Sequence, residues 1–172
     1  LLRPAMQQLL DEIRLLEVRI AQIERQLAQV AKESSACKLL MTIPGVGLLS
    51  ATGIVAATSG AVSHFKSARH FAAWFGLTPK ENSSGGTRRL GRISKMGDRY
   101  LRKLLFLGSL SALKCSKKRQ ENYAPRALDL LERKPVRLAA IALANRTARV
   151  VWAMLTRGEA YRTNYMPAIA TA

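Results

Sequence analysis

The chain has 172 residues, enough for one compact domain plus an accessory element. Its 28 Lys and Arg against 11 Asp and Glu give a formal net charge of +17, which calls for a polyanionic partner, nucleic acid before a membrane surface. Cys37, Cys115, His64 and His70 are too dispersed for a metal-ligand motif. No apolar run reads as long enough to span a membrane, and early acidic residues argue against a signal peptide, so a reducing cytoplasm fits.

The first element predicted is a long helix. Leu2, Met6, Leu9, Ile13, Leu16, Ile20, Ile23, Leu27 and Val30 recur at alternating spacings of four and three, a heptad seam that predicts a coiled coil over residues 1–35. Glu12, Glu17, Arg19 and Glu24 flank the seam. The alternative is one helix packed on its own domain by the same stripe. Residues 1–33 hold five basic and five acidic side chains, so all of the excess charge lies beyond them.

A helical domain is predicted over residues 36–172, all-α because no convincing strand alternation appears. Leu39, Leu40 and Ile43 close a short helix, the run "PGVG" (residues 44–47) makes a turn, and a small-residue helix runs from about Leu48 to Thr58. This pattern resembles a helix-hairpin-helix element, in which Gly45, Val46 and Gly47 would let a backbone approach a phosphate at a helix N-terminus. A plain tight turn between two packed helices is the rival reading. The next helix lies within "SHFKSARHFAAWFGL", capped by Ser63 or Ser67, with Phe65, Phe71, Trp74 and Phe75 in the core.

Beyond Thr78-Pro79 comes "ENSSGGTRRLGRISKMGDRYLRK", read as a loop that feeds a helix from Asp98, a good N-cap, to about Lys114. "CSKKRQENY" reads as a basic turn, a helix is expected around Pro125–Glu132, and a strong one follows with Pro135 at its start and Gly158 at its end. The tail after Tyr165 reads as loose. Between Lys80 and Arg119 lie twelve basic residues against only Glu81 and Asp98.

In the loop, Ser83 and Ser84 precede a glycine pair, and Arg88, Arg89, Arg92, Lys95, Arg99, Arg102 and Lys103 follow. Guanidinium groups bind two phosphate oxygens at once and stabilise charge building up on phosphorus. A serine held in that field could attack a phosphodiester and keep the bond's energy in a phosphoserine ester; equally, such a loop could simply bind phosphate. Carboxylates beyond the first helix are few and unpaired, so no metal site is expected on this chain and any Mg²⁺ would have to be held elsewhere.

The runs "IPGVGLLSATGIVA", "FKSARHFAAWFGLTP", "SSGGTRRLGRISKMGDRYLRKLL" and "ALANRTARVVWAMLTRGEAY", in this order, resemble the C-terminal half of one transposase family. These are the bacterial insertion-sequence transposases that join an N-terminal RuvC-like DEDD domain to a C-terminal serine domain, also called bridge-RNA recombinases. The likeness covers roughly residues 36–165, and the coil resembles the connector between the two halves. It implies that the serine before the glycine, Ser84, is the nucleophile, with Ser83 the fallback because the doubled serine leaves the register open by one. It also implies a covalent DNA–serine intermediate, Mg²⁺ on the DEDD carboxylates, a structured guide RNA, and a homo-oligomer, dimer or tetramer, in the bacterial cytoplasm near the nucleoid. Leu1 stands where an initiator methionine would be expected and no DEDD domain is present. The chain is therefore expected to bind nucleic acid and dimerise without cleaving DNA by itself. Two other classes stay open: a non-catalytic helix-hairpin-helix DNA- or RNA-binding module, and an assembly element whose coil sets the oligomeric state.

Overall fold

A run of good helix formers, broken only by Pro4 in the first turn where the missing N–H has no helical partner anyway, folds into one long helix, α1 (Leu2–Glu33). The computed structural model describes residues 2–84, 86–87, 89–119 and 131–162. After α1 come α2 (Ser35–Leu40), α3 (Leu48–Thr58), α4 (Ala68–Trp74), β1 (Pro79–Glu81), β2 (Leu90–Ile93), α5 (Arg99–Arg119) and α6 (Val136–Arg157). The fold is all-α, as expected, with one small insertion: β1 and β2 form an antiparallel hairpin between α4 and α5.

Only the last turns of α1 meet the domain, through α2 and α3. Ala31 is buried there, whereas Leu2, Ile13 and Ile20 on the seam are 78%, 52% and 55% exposed. Ser34 then caps α2, its hydroxyl accepting from the Cys37 N–H at 3.2 Å. The cap of α4 is Ser67, whose hydroxyl accepts from the His70 N–H at 3.3 Å, so of the two expected serines the second is used.

The core gathers Leu40, Ile43, Ile54, Phe71, Phe75 and Val151, each buried and each contributing about 1.5–3 kcal/mol by leaving water. Phe71 meets Phe75 and Phe65 edge-to-face, with ring centroids 4.9 Å apart in both pairs. Phe71 and Phe75 are core, as expected, whereas Phe65 and Trp74 are half-buried and pack against it.

Helix α6 packs on α5, α4 and α2. Its small buried face, Ala139, Ala140, Leu143, Ala144 and Ala148, lets neighbouring helices come close. Pro135 starts it and Gly158 stops it in the left-handed conformation, φ 69°. By length and composition this helix is apolar enough to cross a membrane, contrary to the sequence reading, but 44% of that window is buried inside the domain. Arg137, Arg146, Arg149 and Arg157 lie along it as well, and its Ala139, Leu143, Ala144, Ala148, Val151 and Met154 belong to the core, while Val136 and Leu138 are exposed.

Two further expectations change. The basic turn expected from Cys115 is helical as far as Arg119, because α5 simply continues through a run of good helix formers. The helix expected around Pro125–Glu132 lies outside the described residues apart from a helical turn at 131–133, and the tail after Tyr165 lies outside them altogether.

Candidate active site

The hairpin grows out of the end of α4. That helix closes in a Schellman motif: the Gly76 N–H donates to the Ala73 carbonyl at 2.8 Å and the Leu77 N–H to the Ala72 carbonyl at 3.2 Å. Gly76 has φ 69°, and a side chain there would strike the backbone of Lys95 and Met96. The chain therefore turns sharply into β1, which any Cβ at this position would prevent.

Pro79 pairs with Ile93 and Glu81 with Leu90, with a register shift between them. The Asn82 N–H donates to the Arg89 carbonyl at 2.9 Å, and the Thr87 N–H closes the tip on the Ser84 carbonyl at 3.1 Å. Gly86, φ 77°, supplies the left-handed residue that this tip needs. The expected loop is thus a hairpin. Its strands are three and four residues long, too short to show alternation in sequence.

This register separates the two serines. Ser83 is used internally: its hydroxyl donates to Glu81 Oε1 at 3.0 Å and accepts from the Arg89 N–H at 3.2 Å. Ser84 sits at the exposed tip, and its hydroxyl makes no hydrogen bond among the described residues.

Arg89, Arg92, Lys95, Arg99 and Lys103 are all exposed and form no ion pair among the described residues. Arg88 lies outside the described residues. Of the acidic side chains nearby, Asp98 caps α5, its Oδ1 accepting from the Leu101 N–H at 2.6 Å, as the sequence predicts. Such an N-cap is worth about 1 kcal/mol. The surface around the tip is therefore cationic with little to offset it. Lys95 holds φ 56°, unusual for a side chain that is not glycine, while its N–H donates to the Gly76 carbonyl at 3.1 Å.

Arg102 departs from this pattern. Its Nη1 donates inward, to the Phe75 carbonyl at 3.0 Å and the Gly97 carbonyl at 3.4 Å. Asn145, which the sequence reading passed over, donates through Nδ2 to the Leu77 carbonyl at 3.2 Å. Sequence alone marks neither role, because Phe75 lies 27 positions from Arg102 and Leu77 lies 68 from Asn145.

The "PGVG" turn also faces inward. Val46 is buried, and Gly45, φ 84°, lies against the backbone of Gly108 on α5. Tight packing, and not room for a phosphate, is what requires glycine at Gly45. Gly47 is exposed at the start of α3, and a Cβ there would meet nothing. Among the described residues no three His, Cys, Asp or Glu side chains come together as a metal site would need.

Residues 37–124, from Cys37 through the whole hairpin and α5, match the family described as "Transposase IS116/IS110/IS902 family". The chain belongs to this transposase family. It is 41% identical over 157 residues to a probable family 20 transposase of Pseudomonas aeruginosa, covering 91% of this chain and 46% of that protein. It is 40% identical to a putative transposase, y4pF/y4sB, of Sinorhizobium fredii over 88% of this chain and 39% of the relative. To the transposase for insertion sequence element IS1111A of Coxiella burnetii it is 38% identical, over 83% of this chain and 39% of that protein. The chain thus spans less than half the length of these curated transposases.

Proposed function

We propose that the chain is the strand-transferring part of an insertion-sequence DNA transposase and that Ser84 is its nucleophile. In the step assigned to it, Ser84 Oγ loses its proton and forms an Oγ–P bond to a DNA phosphodiester. One P–O bond to deoxyribose breaks, and the released oxygen takes up a proton. Reversal with another DNA end restores the serine and joins the strands. Arg88, Arg89, Arg92, Lys95, Arg99 and Lys103 would hold the scissile and flanking phosphates and stabilise charge growing on phosphorus.

The observation that carries this reading is the contrast between the serines. The Ser84 hydroxyl makes no hydrogen bond among the described residues and stands at the tip of a cationic hairpin, so it can meet a phosphodiester without breaking any of the bonds described. One observation favours the second reading, Ser83: its proton already points at the Glu81 carboxylate, which could accept it.

The remaining parts of the proposal concern the longer protein. Mg²⁺ would be held by carboxylates of a RuvC-like DEDD domain and would supply charge neutralisation at the phosphate; the roles given to this chain's residues do not pass through it. A structured guide RNA would select the DNA, copies would associate as a dimer or tetramer along the α1 seam, and the protein would act in the bacterial cytoplasm.

The test is to incubate the longer, DEDD-containing protein that carries this chain with DNA bearing its element ends and look for a detergent-stable protein–DNA adduct. Ser84→Ala should abolish the adduct while DNA affinity stays nearly intact. An adduct that survived both Ser84→Ala and Ser83→Ala would end the serine mechanism.

A further inference from the structure

A two-stranded ribbon has little stability of its own. Here every described residue of β1 and β2 is exposed except Ile93, which is half-buried, so no core holds the hairpin in place. At its root two backbone bonds tie it down: the Ser94 N–H to the Thr78 carbonyl at 2.8 Å and the Lys95 N–H to the Gly76 carbonyl at 3.1 Å. Side chains from two other helices add to this attachment. Arg102 of α5 grips the Phe75 and Gly97 carbonyls, one before and one after the hairpin, and Asn145 of α6 grips the Leu77 carbonyl.

These acceptors are well chosen. Phe75 caps the C-terminus of α4, where carbonyls lack helical partners and a cation is favoured. A guanidinium spans the two carbonyls that flank the hairpin, closing it like a clasp, while Asn145 fixes the same root from α6. Gly97 completes the junction: with φ 128°, it lies so close to the Trp74 carbonyl that no side chain could be accommodated.

We propose that Arg102 and Asn145 are positioning residues, which hold the hairpin at one orientation on the helical body so that Ser84 meets its phosphodiester in line. This assigns Arg102 away from the phosphate-binding set in which its charge alone would place it. It rests on the reading of Ser84 as nucleophile.

The test compares the longer, DEDD-containing protein that carries this chain with its Arg102→Met, Arg102→Lys and Asn145→Leu variants, Asn145→Leu serving if loss of the arginine prevents folding. Three quantities are read: hydrogen exchange at the Ser94, Lys95 and Asn82 amides, the dependence of DNA affinity on salt, and the rate of adduct formation at saturating DNA. Exchange at the hairpin should quicken in Arg102→Met and Asn145→Leu while α6 stays protected. Adduct formation should slow, by up to on the order of 100-fold for a displacement near 1 Å, with DNA affinity and its salt slope unchanged. Arg102→Lys should recover part of the rate, since an ammonium can still reach one carbonyl.

Unchanged exchange would overturn the proposal, and so would quickened exchange with an unchanged adduct rate. A salt slope lowered by about 0.9 in Arg102→Met would make the residue a phosphate contact and equally overturn it. Failure of every version, wild type included, to form an adduct would remove the serine reading and with it the link to chemistry, leaving exchange to decide whether these side chains hold the hairpin.

Discussion

Gly45 and Gly108 meet backbone to backbone: a Cβ on Gly45 would lie 2.5 Å from the Gly108 carbonyl oxygen, and one on Gly108 would strike the Gly45 carbonyl. This contact locks the turn before α3 onto the middle of α5. Gly45→Ala should cost about 2–4 kcal/mol, combining overpacking with a left-handed φ. Gly108→Ala should be destabilising through overpacking alone. The check is thermal unfolding, where each kcal/mol lowers Tm by roughly 2–4 °C in a domain of this size. Loss of DNA affinity at unchanged Tm would instead place Gly45 at a phosphate.

Exposed cations that form no ion pair among the described residues should act on DNA additively and without regard to sequence. Arg92→Ala, Arg99→Ala and Lys103→Ala should each weaken binding and each reduce the slope of log affinity against log salt by about 0.9 if one phosphate contact is lost. Titrations at several salt concentrations measure this directly.

Ser83→Ala should separate the two serines. It removes the acceptor for the Arg89 N–H and the donor to Glu81, bonds worth about 0.5–1.5 kcal/mol each where they are formed, and less at an exposed site. The expected result is slower adduct formation with a loosened hairpin, against complete loss in Ser84→Ala. Time courses of adduct formation distinguish the outcomes.

Ile13 and Ile20 lie on the exposed seam of α1, far from the buried core. Ile13→Asp with Ile20→Asp should convert an oligomer to a monomer in sedimentation while the core's unfolding transition is retained. An unchanged sedimentation coefficient would exclude the seam as the interface.

Burial raises the Tyr161 phenol above its ordinary value, with Arg146 pulling the other way. The folded state then holds this proton longer than the unfolded chain does. The resulting stabilisation is fully present below about pH 10 and is lost as pH rises from there through the raised value. Tyr161→Phe should therefore flatten the fall in stability over that alkaline window, measured by denaturant unfolding at stepped pH.

What could be read in the sequence was what is decided locally. Ser67 and Asp98 announce their caps, Gly158 its helix end, and Phe71 and Phe75 their core positions, because each depends on neighbours within a turn or two. The hairpin escaped, since strands this short carry no period. Arg102 and Asn145 escaped for another reason: an arginine on a helix reads as solvated, and only the tertiary fold brings Phe75, Gly97 and Leu77 beneath these side chains. Gly45 was legible as a special backbone position but not as a packing one, because Gly108 lies 63 residues on and only the fold reveals it. The different hydrogen bonding of Ser83 and Ser84 follows from hairpin register, which the doubled serine alone cannot supply.

Helix α1 has 32 residues, so at 1.5 Å each it extends about 48 Å, and among the described residues it is anchored near Ala31. A rod of that reach carries its free end far from the domain, so a partner held at that end would stand at a distance fixed by the helix's length. Deleting one heptad would draw that end in by about 10 Å and leave the surroundings of Ser84 untouched, so reach and site can be varied separately.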